Sequence, residues 1–110
     1  MKARAGLDRT LAALADPYRR RVVDLLREGP RRASEIADAV GLSPPAMSRH
    51  LRVLRQGGLV EESHPTFDAR LRIYRLKPAP MRELRTWLEE TERLWAEELT
   101  AFKAHIESER

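Results

Sequence analysis

"SPPAMSRHLRVLRQGGLV", residues 43–60, decides how the rest of the chain reads. Ser43 is of a type that caps helices, and Pro44 follows at a first helical position, where a missing N–H costs nothing. Met47, Leu51 and Leu54 recur at i, i+4 and i+7, one apolar stripe of a helical period. Ser48, Arg49, Arg52 and Arg55 fall on the opposite side, and the run stops at Gly57-Gly58. A helix with one buried stripe and a face of small polar residues and arginines is a shape that a DNA major groove admits. The groove is about 12 Å wide, and its commonest specific contact is Arg to guanine O6 and N7. "SPPA" keeps the helix start slim and rigid, and exposed amide N–H groups there, at the positive end of the dipole, suit a phosphate. The same pattern also fits a surface helix with solvated arginines, so its neighbours have to decide.

On the N-terminal side lies "RRASEIADAVG", residues 31–41. It reads as a short helix with Ser34 as candidate cap, Ile36, Ala37 and Val40 as apolar face, and Gly41 as stop. Only Gly41-Leu42 separates it from Ser43, which makes residues 33–56 a helix-turn-helix. Earlier, Leu7, Leu11 and Leu14 predict a first helix over about residues 5–15. Asp16-Pro17 then caps a second helix carrying Val22, Val23, Leu25 and Leu26, which ends at Gly29-Pro30. On the C-terminal side, "LVEES" and "LRIYRL" carry β-branched and aromatic residues around "HPTFDAR", a hairpin with a long tip over residues 59–76. After "KPAP", residues Met81, Leu84, Leu88, Trp95, Leu99, Phe102 and Ile106 follow helical spacing over residues 80–107, and Trp87 and Leu94 widen the stripe. The predicted fold is mostly α with a small β-hairpin (α+β), one domain over residues 1–110 in the order α-α-α-α-β-β-α. That combination is a winged helix-turn-helix with a long C-terminal helix.

The last helix would be roughly 40 Å long at ~1.5 Å per residue, longer than the small core ahead of it can cover. Its excess apolar surface asks for a partner helix, most simply that of a second copy. Leu7, Leu11, Leu88, Trp95, Leu99 and Phe102 are the candidate dimer interface.

Charge divides along the chain. Residues 1–77 hold 16 Lys and Arg against 9 Asp and Glu, whereas residues 78–110 hold 5 against 8. A basic body with an acidic tail points to a polyanion partner, double-stranded DNA, for the first part. The absence of cysteine excludes disulfides, thiolate metal sites and cysteine nucleophiles. No signal-peptide run and no stretch of about 18 apolar residues is present, so a cytoplasmic protein without membrane association is expected. GxSxG, Walker and HExxH motifs are missing, and Ser48 and His50 are two residues apart on one helix and do not face each other. The expectation is no enzyme and no cofactor.

Along the recognition stretch, Arg52 and Arg55 are placed for phosphates, with Ser43 and His50 as further backbone contacts. Arg19 and Arg20, near the start of the second helix, are candidate backbone contacts, though Arg19 is equally able to brace Asp16. Arg70 and Arg72, near the wing tip, are candidates for the minor groove or flanking phosphates. Phe67 at that tip is either an exposed contact or a lid on the base of the wing.

"LADPYRRRVVDLL", "ASEIADAVGLSPPAMSRHLRVLRQGGLV" and "RIYRL", in that order and spacing over roughly residues 7–77, resemble the ArsR/SmtB family of bacterial repressors. The aromatic-rich last helix is similar to that of the metal-independent members. The resemblance implies a homodimer joined through the first and last helices, with paired recognition helices reading an inverted repeat. It also implies base-reading positions at Ser48 and Arg49, with the helix start at Pro44 and Pro45. Many relatives carry Gln where Pro44 stands, and a proline cannot make that amide contact. Relatives that sense thiophilic metals have a Cys-x-Cys pair at the positions of Arg32 and Ser34. Zinc-sensing ones use paired histidines on the last helix, which here has His105 alone. With His50 and His64 elsewhere, and Glu89, Glu90, Glu92, Glu97 and Glu98 reading as a solvated face, no metal is expected. The function expected is a homodimeric DNA-binding repressor whose effector, if any, is unknown. Two alternatives are a winged-helix protein-interaction module and a metal or small-molecule sensor with its ligand at a dimer interface near Trp87, Trp95 and Phe102.

Overall fold

The computed structural model describes residues 2–68 and 70–109, with the side chains of residues 2–4 left out. Its elements are α1 (Lys2–Leu14), α2 (Pro17–Leu26), β1 (Arg31–Arg32), α3 (Ala33–Val40), α4 (Pro44–Gln56), β2 (Val60–Ser63), β3 (Ile73–Leu76) and α5 (Pro78–Ser108). The helix-turn-helix spans α3 and α4, β2 and β3 form the wing, and Ala69 in the wing tip lies outside the described residues. No helix among these residues is long and apolar enough to cross a membrane.

The core sits where α2, α3 and α4 meet the inner face of the wing. Val22, Ile36, Met47, Leu51, Leu54, Leu59, Val60 and Tyr74 are among its fully covered side chains, and three of them are the i, i+4, i+7 stripe of α4. Leu54 is wholly buried at the last turn of that helix. Leu54→Ala should therefore lower stability by about 2–5 kcal/mol, read as a fall in the urea midpoint with an unchanged slope.

Two glycines place the recognition helix. Gly41 closes α3 with φ 81, and its N–H reaches the Ala37 carbonyl at 2.9 Å. This is a left-handed helix end that only glycine adopts cheaply. At the other end Gly57 is still helical, and Gly58, with φ 76, is the residue that reverses the chain. Leu59 N–H then bonds the Leu54 carbonyl at 3.0 Å, and the chain enters the wing.

The expected two-stranded hairpin is in fact the larger part of a three-stranded antiparallel sheet, in the order β1-β3-β2. Arg31 pairs with Tyr74 and Arg32 with Ile73. Two arginines carry no strand signal of their own; β3 imposes the extended backbone on them. The same pairing corrects the start of the third helix. Arg32, not Ser34, occupies the N-cap position, and Glu35 reaches back to accept from the Arg32 backbone N–H at 3.0 Å. Ser34 lies one residue inside the helix.

α5 is 31 residues long and fully buries none of them in its own chain, although Met81 in its first turn packs partly against the core. It carries the molecule to an extent of 72 Å, against 29 and 22 Å across. α1 packs beside its first turns, where Leu7, Trp87 and Thr86 line an open groove.

Candidate nucleic-acid interface

The outer face of α4 is built from the helix start onward. Ser43 is extended (φ −64, ψ 153), and its Oγ accepts from Ala46 N–H at 3.4 Å. Met47 N–H bonds the Ser43 carbonyl at 2.9 Å. Pro44 and Pro45, both exposed, have no N–H to offer. The first turn, residues 44–47, therefore keeps no free amide, so a phosphate at this helix start would be met by Ser43 and not by first-turn N–H groups. The prolines that slim the helix also remove two of its donors, and the Ser43 hydroxyl and the dipole remain. Further along, Ser48 is half-buried and Arg49 and Arg52 are exposed. Among the described residues neither arginine has an ion-pair partner, so both guanidinium groups are open to an incoming acceptor.

Arg55 is different, because it belongs to a cluster centred on a residue the sequence reading passed over. Glu62, whose side chain is 10% exposed, accepts from Arg55 Nη1 at 2.7 Å and from Arg72 Nε at 3.3 Å. It also accepts from the Tyr74 hydroxyl at 2.9 Å and lies 3.1 Å from His64 Nε2. Tyr74 is its partner directly across the β2–β3 register, and its hydroxyl in turn accepts from Arg72 Nη2. The cluster ties the end of the recognition helix to the wing and holds Arg72 against the sheet. The available signal was the cross-strand pairing of an acid with a tyrosine, which requires a register that the long hairpin tip concealed.

Burial alone would raise the pKa of Glu62, but the Tyr74 hydrogen bond and the Arg72 and Arg55 charges outweigh it and hold the carboxyl below its ordinary value. Burial, followed by the Glu62 contact, pushes the Tyr74 phenol up. Because folding lowers the Glu62 pKa, the cluster stabilises the wing above the unfolded-chain glutamate pKa. That contribution disappears as pH falls through the lower folded value. Glu62→Gln should lose it throughout, so the acid-side slope of stability against pH flattens in denaturant titrations at stepped pH.

Arg19 and Arg20, expected on the DNA backbone, both turn to the end of α1. Arg19 Nε donates to the Ala13 carbonyl at 2.6 Å and Nη2 to the Ala12 carbonyl at 3.2 Å, while Arg20 Nη1 reaches the Leu14 carbonyl at 2.8 Å. His50 is mostly covered, with its ring 5.8 Å from that of Tyr18. At the wing tip Arg70 is 93% exposed, and Asp68 both accepts its backbone N–H at 2.9 Å and approaches its Nε at 3.4 Å. Phe67 is 84% exposed, which makes it a projecting side chain and not a lid.

The interface candidates sit together along α1 and α5. Leu7 is half-buried and Leu11 exposed, while Leu88, Trp95, Leu99 and Phe102 stand between 50% and 62% exposed in the single chain. No group of three or more His, Asp or Glu side chains among the described residues converges to hold a metal ion.

A helix-turn-helix with an arginine-bearing outer face, continued by a hairpin anchored to it, defines a winged helix-turn-helix DNA-binding protein. The comparisons narrow the class. Residues 16–62 match the bacterial regulatory protein arsR family. The HTH-type transcriptional regulator Rv2034 of Mycobacterium tuberculosis is 39% identical over 102 residues, 93% of this chain and 90% of that one. The ArsR-like transcriptional regulator from Rhodococcus sp. RHA1 superposes with a TM-score of 0.82 at 31% identity, over 94% of this chain and 93% of that one. The homodimeric winged helix-turn-helix DNA-binding domain Mb0332 from Mycobacterium bovis, a possible ArsR-family regulator, gives a TM-score of 0.63 at 28% identity, over 82% of each chain. The chain belongs to the ArsR family of bacterial transcriptional regulators, as the resemblance implied, and is a DNA-binding protein of that family.

Proposed function

We propose that the protein is a homodimeric transcriptional repressor acting in the cytoplasm on an inverted-repeat operator. The observation that carries this is the outer face of α4, where Arg49 and Arg52 are exposed without an ion-pair partner among the described residues and Ser48 lies beside them. The single domain presents residues 33–56 to the major groove. Arg49 and Ser48 read base edges, Pro44 and Pro45 let the helix start approach closely, and Arg52 and Ser43 meet phosphates. Arg70 and Phe67 carry the wing tip toward the minor groove or its flanks. α1 and α5 join two copies, in keeping with the homodimeric Mycobacterium bovis domain, so that two recognition helices face one side of the duplex. Bound there, the dimer represses by occupying the promoter.

Fluorescence anisotropy on DNA from upstream of the protein's own gene, against a scrambled fragment at two salt concentrations, tests the proposal. The expected result is sequence-dependent binding of two protomers per site. Its log K should fall with log salt by about 0.9 for each phosphate neutralised. Equal, weak binding to both fragments would count against an operator beside the gene. An absence of binding at low salt would return the protein-interaction reading.

A further inference from the structure

Where α1 meets α2, three helices converge on one guanidinium that the DNA-facing surface does not use. Two of the Arg19 nitrogens take carbonyls in the last turn of α1: that of Ala13, whose i+4 residue is Pro17 and has no N–H, and that of Ala12, which otherwise accepts from Ala15 N–H at 3.3 Å. The third, Nη1, lies 3.4 Å from His50 Nδ1 on the recognition helix. Asp16 caps α2 by accepting from Tyr18 N–H at 2.8 Å and Arg19 N–H at 3.2 Å, and its nearer oxygen stands 4.0 Å from the same His50 nitrogen, outside hydrogen-bond range. Each of the three Arg19 nitrogens therefore has a partner within the protein, and together they join α1, α2 and α4.

The contact has a chemical consequence. Guanidinium groups donate and never accept, so the imidazole nitrogen facing one has to be the acceptor. A neutral His50 then carries its proton on Nε2. We infer that Arg19 is a positioning residue for DNA recognition: it ties α4 to the end of α1 and holds His50 as the Nε2–H tautomer, a fixed donor for a backbone phosphate. Lysine would not replace it, since one ammonium group cannot serve three acceptors in a planar fork. The inference rests on the proposed docking of α4 only for its DNA arm; the tautomer belongs to the free protein. It also links two parts of the molecule, because α1 carries interface candidates Leu7 and Leu11 and α4 carries the reading face.

Two measurements test it. Imidazole ¹⁵N shifts of the full-length wild-type protein, with its histidines neutral, should show His50 as the Nε2–H tautomer. An Nδ1–H tautomer would overturn the inference without any variant. In operator titrations, Arg19→Gln should weaken binding roughly tenfold while leaving the slope of log K against log salt unchanged. A slope reduced by about 0.9 per protomer would make Arg19 a phosphate ligand instead, and an unchanged affinity would end the positioning role. His50→Gln cannot place an acceptor at the Nδ1 site, so the loss in the double variant should fall short of the sum of the single losses. Additive losses would contradict the contact. If the wild-type protein bound no DNA at all, the proposed function would fail while the tautomer result still stood.

Discussion

Arg49→Ala should cost about 1–3 kcal/mol at each half-site, the value of one bidentate arginine–guanine contact. Two copies act in a dimer, so the loss over a whole operator is roughly twice that. The residue is exposed on the face of α4 opposite the buried stripe, and no carboxylate among the described residues holds its guanidinium. No side chain has to be pulled away before it reaches a base. The loss should be concentrated at one base position of each half-site, where the variant no longer distinguishes guanine, and the salt slope should hardly move. Arg52→Ala should show the opposite pattern: a uniform loss over all sequences, with the slope lowered by about 0.9 per protomer. Anisotropy titrations on operators substituted one position at a time separate the two. A uniform loss for Arg49→Ala would reassign it to the backbone. Retained affinity would show that α4 does not enter the groove by this face.

How far such a site is legible in sequence depends on how local its causes are. The α4 stripe, the Gly41 turn and the long α5 follow from periodicity and from residues with special backbone freedom, and all of these are set within a few positions. The missed strand and the missed carboxylate hub depended on partners elsewhere in the chain. β1 exists because Tyr74 and Ile73 are there to pair with two arginines. Glu62 is a hub because the register sets it opposite Tyr74, with Arg72 two residues before that tyrosine and Arg55 seven before Glu62 itself. Basic residues are the hardest to place. Seven arginines expected on DNA divide into open ones and ones engaged within the protein, and nothing in composition marks Arg49 and Arg52 as open and Arg19, Arg20, Arg55, Arg70 and Arg72 as engaged by carbonyls or carboxylates. The error at the start of α4 was of another kind, since the prolines that announced the helix also announced that its first amides were missing.

The interface carries the second large effect. Trp95 and Phe102 are each 62% exposed, far along a helix that fully buries no residue in its own chain. Leu84, Leu88, Trp95, Leu99 and Ile106 fall on one face at spacings that repeat after 11 residues, a period of about 3.67 residues per turn that keeps the stripe nearly straight along the helix. A straight apolar stripe with Phe102 beside it suits pairing with the same stripe of a second copy. Each large apolar side chain covered there contributes about 1.5–3 kcal/mol. Trp95→Glu with Phe102→Glu replaces two of them by charges that the partner's own glutamates would repel. Sedimentation velocity should then find monomer at concentrations where the wild-type protein is dimeric. Circular dichroism should stay close to wild type, because neither residue supports the core. Losing the link between half-sites removes an effective concentration in the millimolar range, so operator affinity should fall by roughly 10²–10⁴ while a single half-site is bound as before. A variant that remained dimeric would transfer the interface to α1 and the first turns of α5. One that became monomeric yet kept full operator affinity would refute the inverted-repeat reading itself, because the second recognition helix would then add nothing.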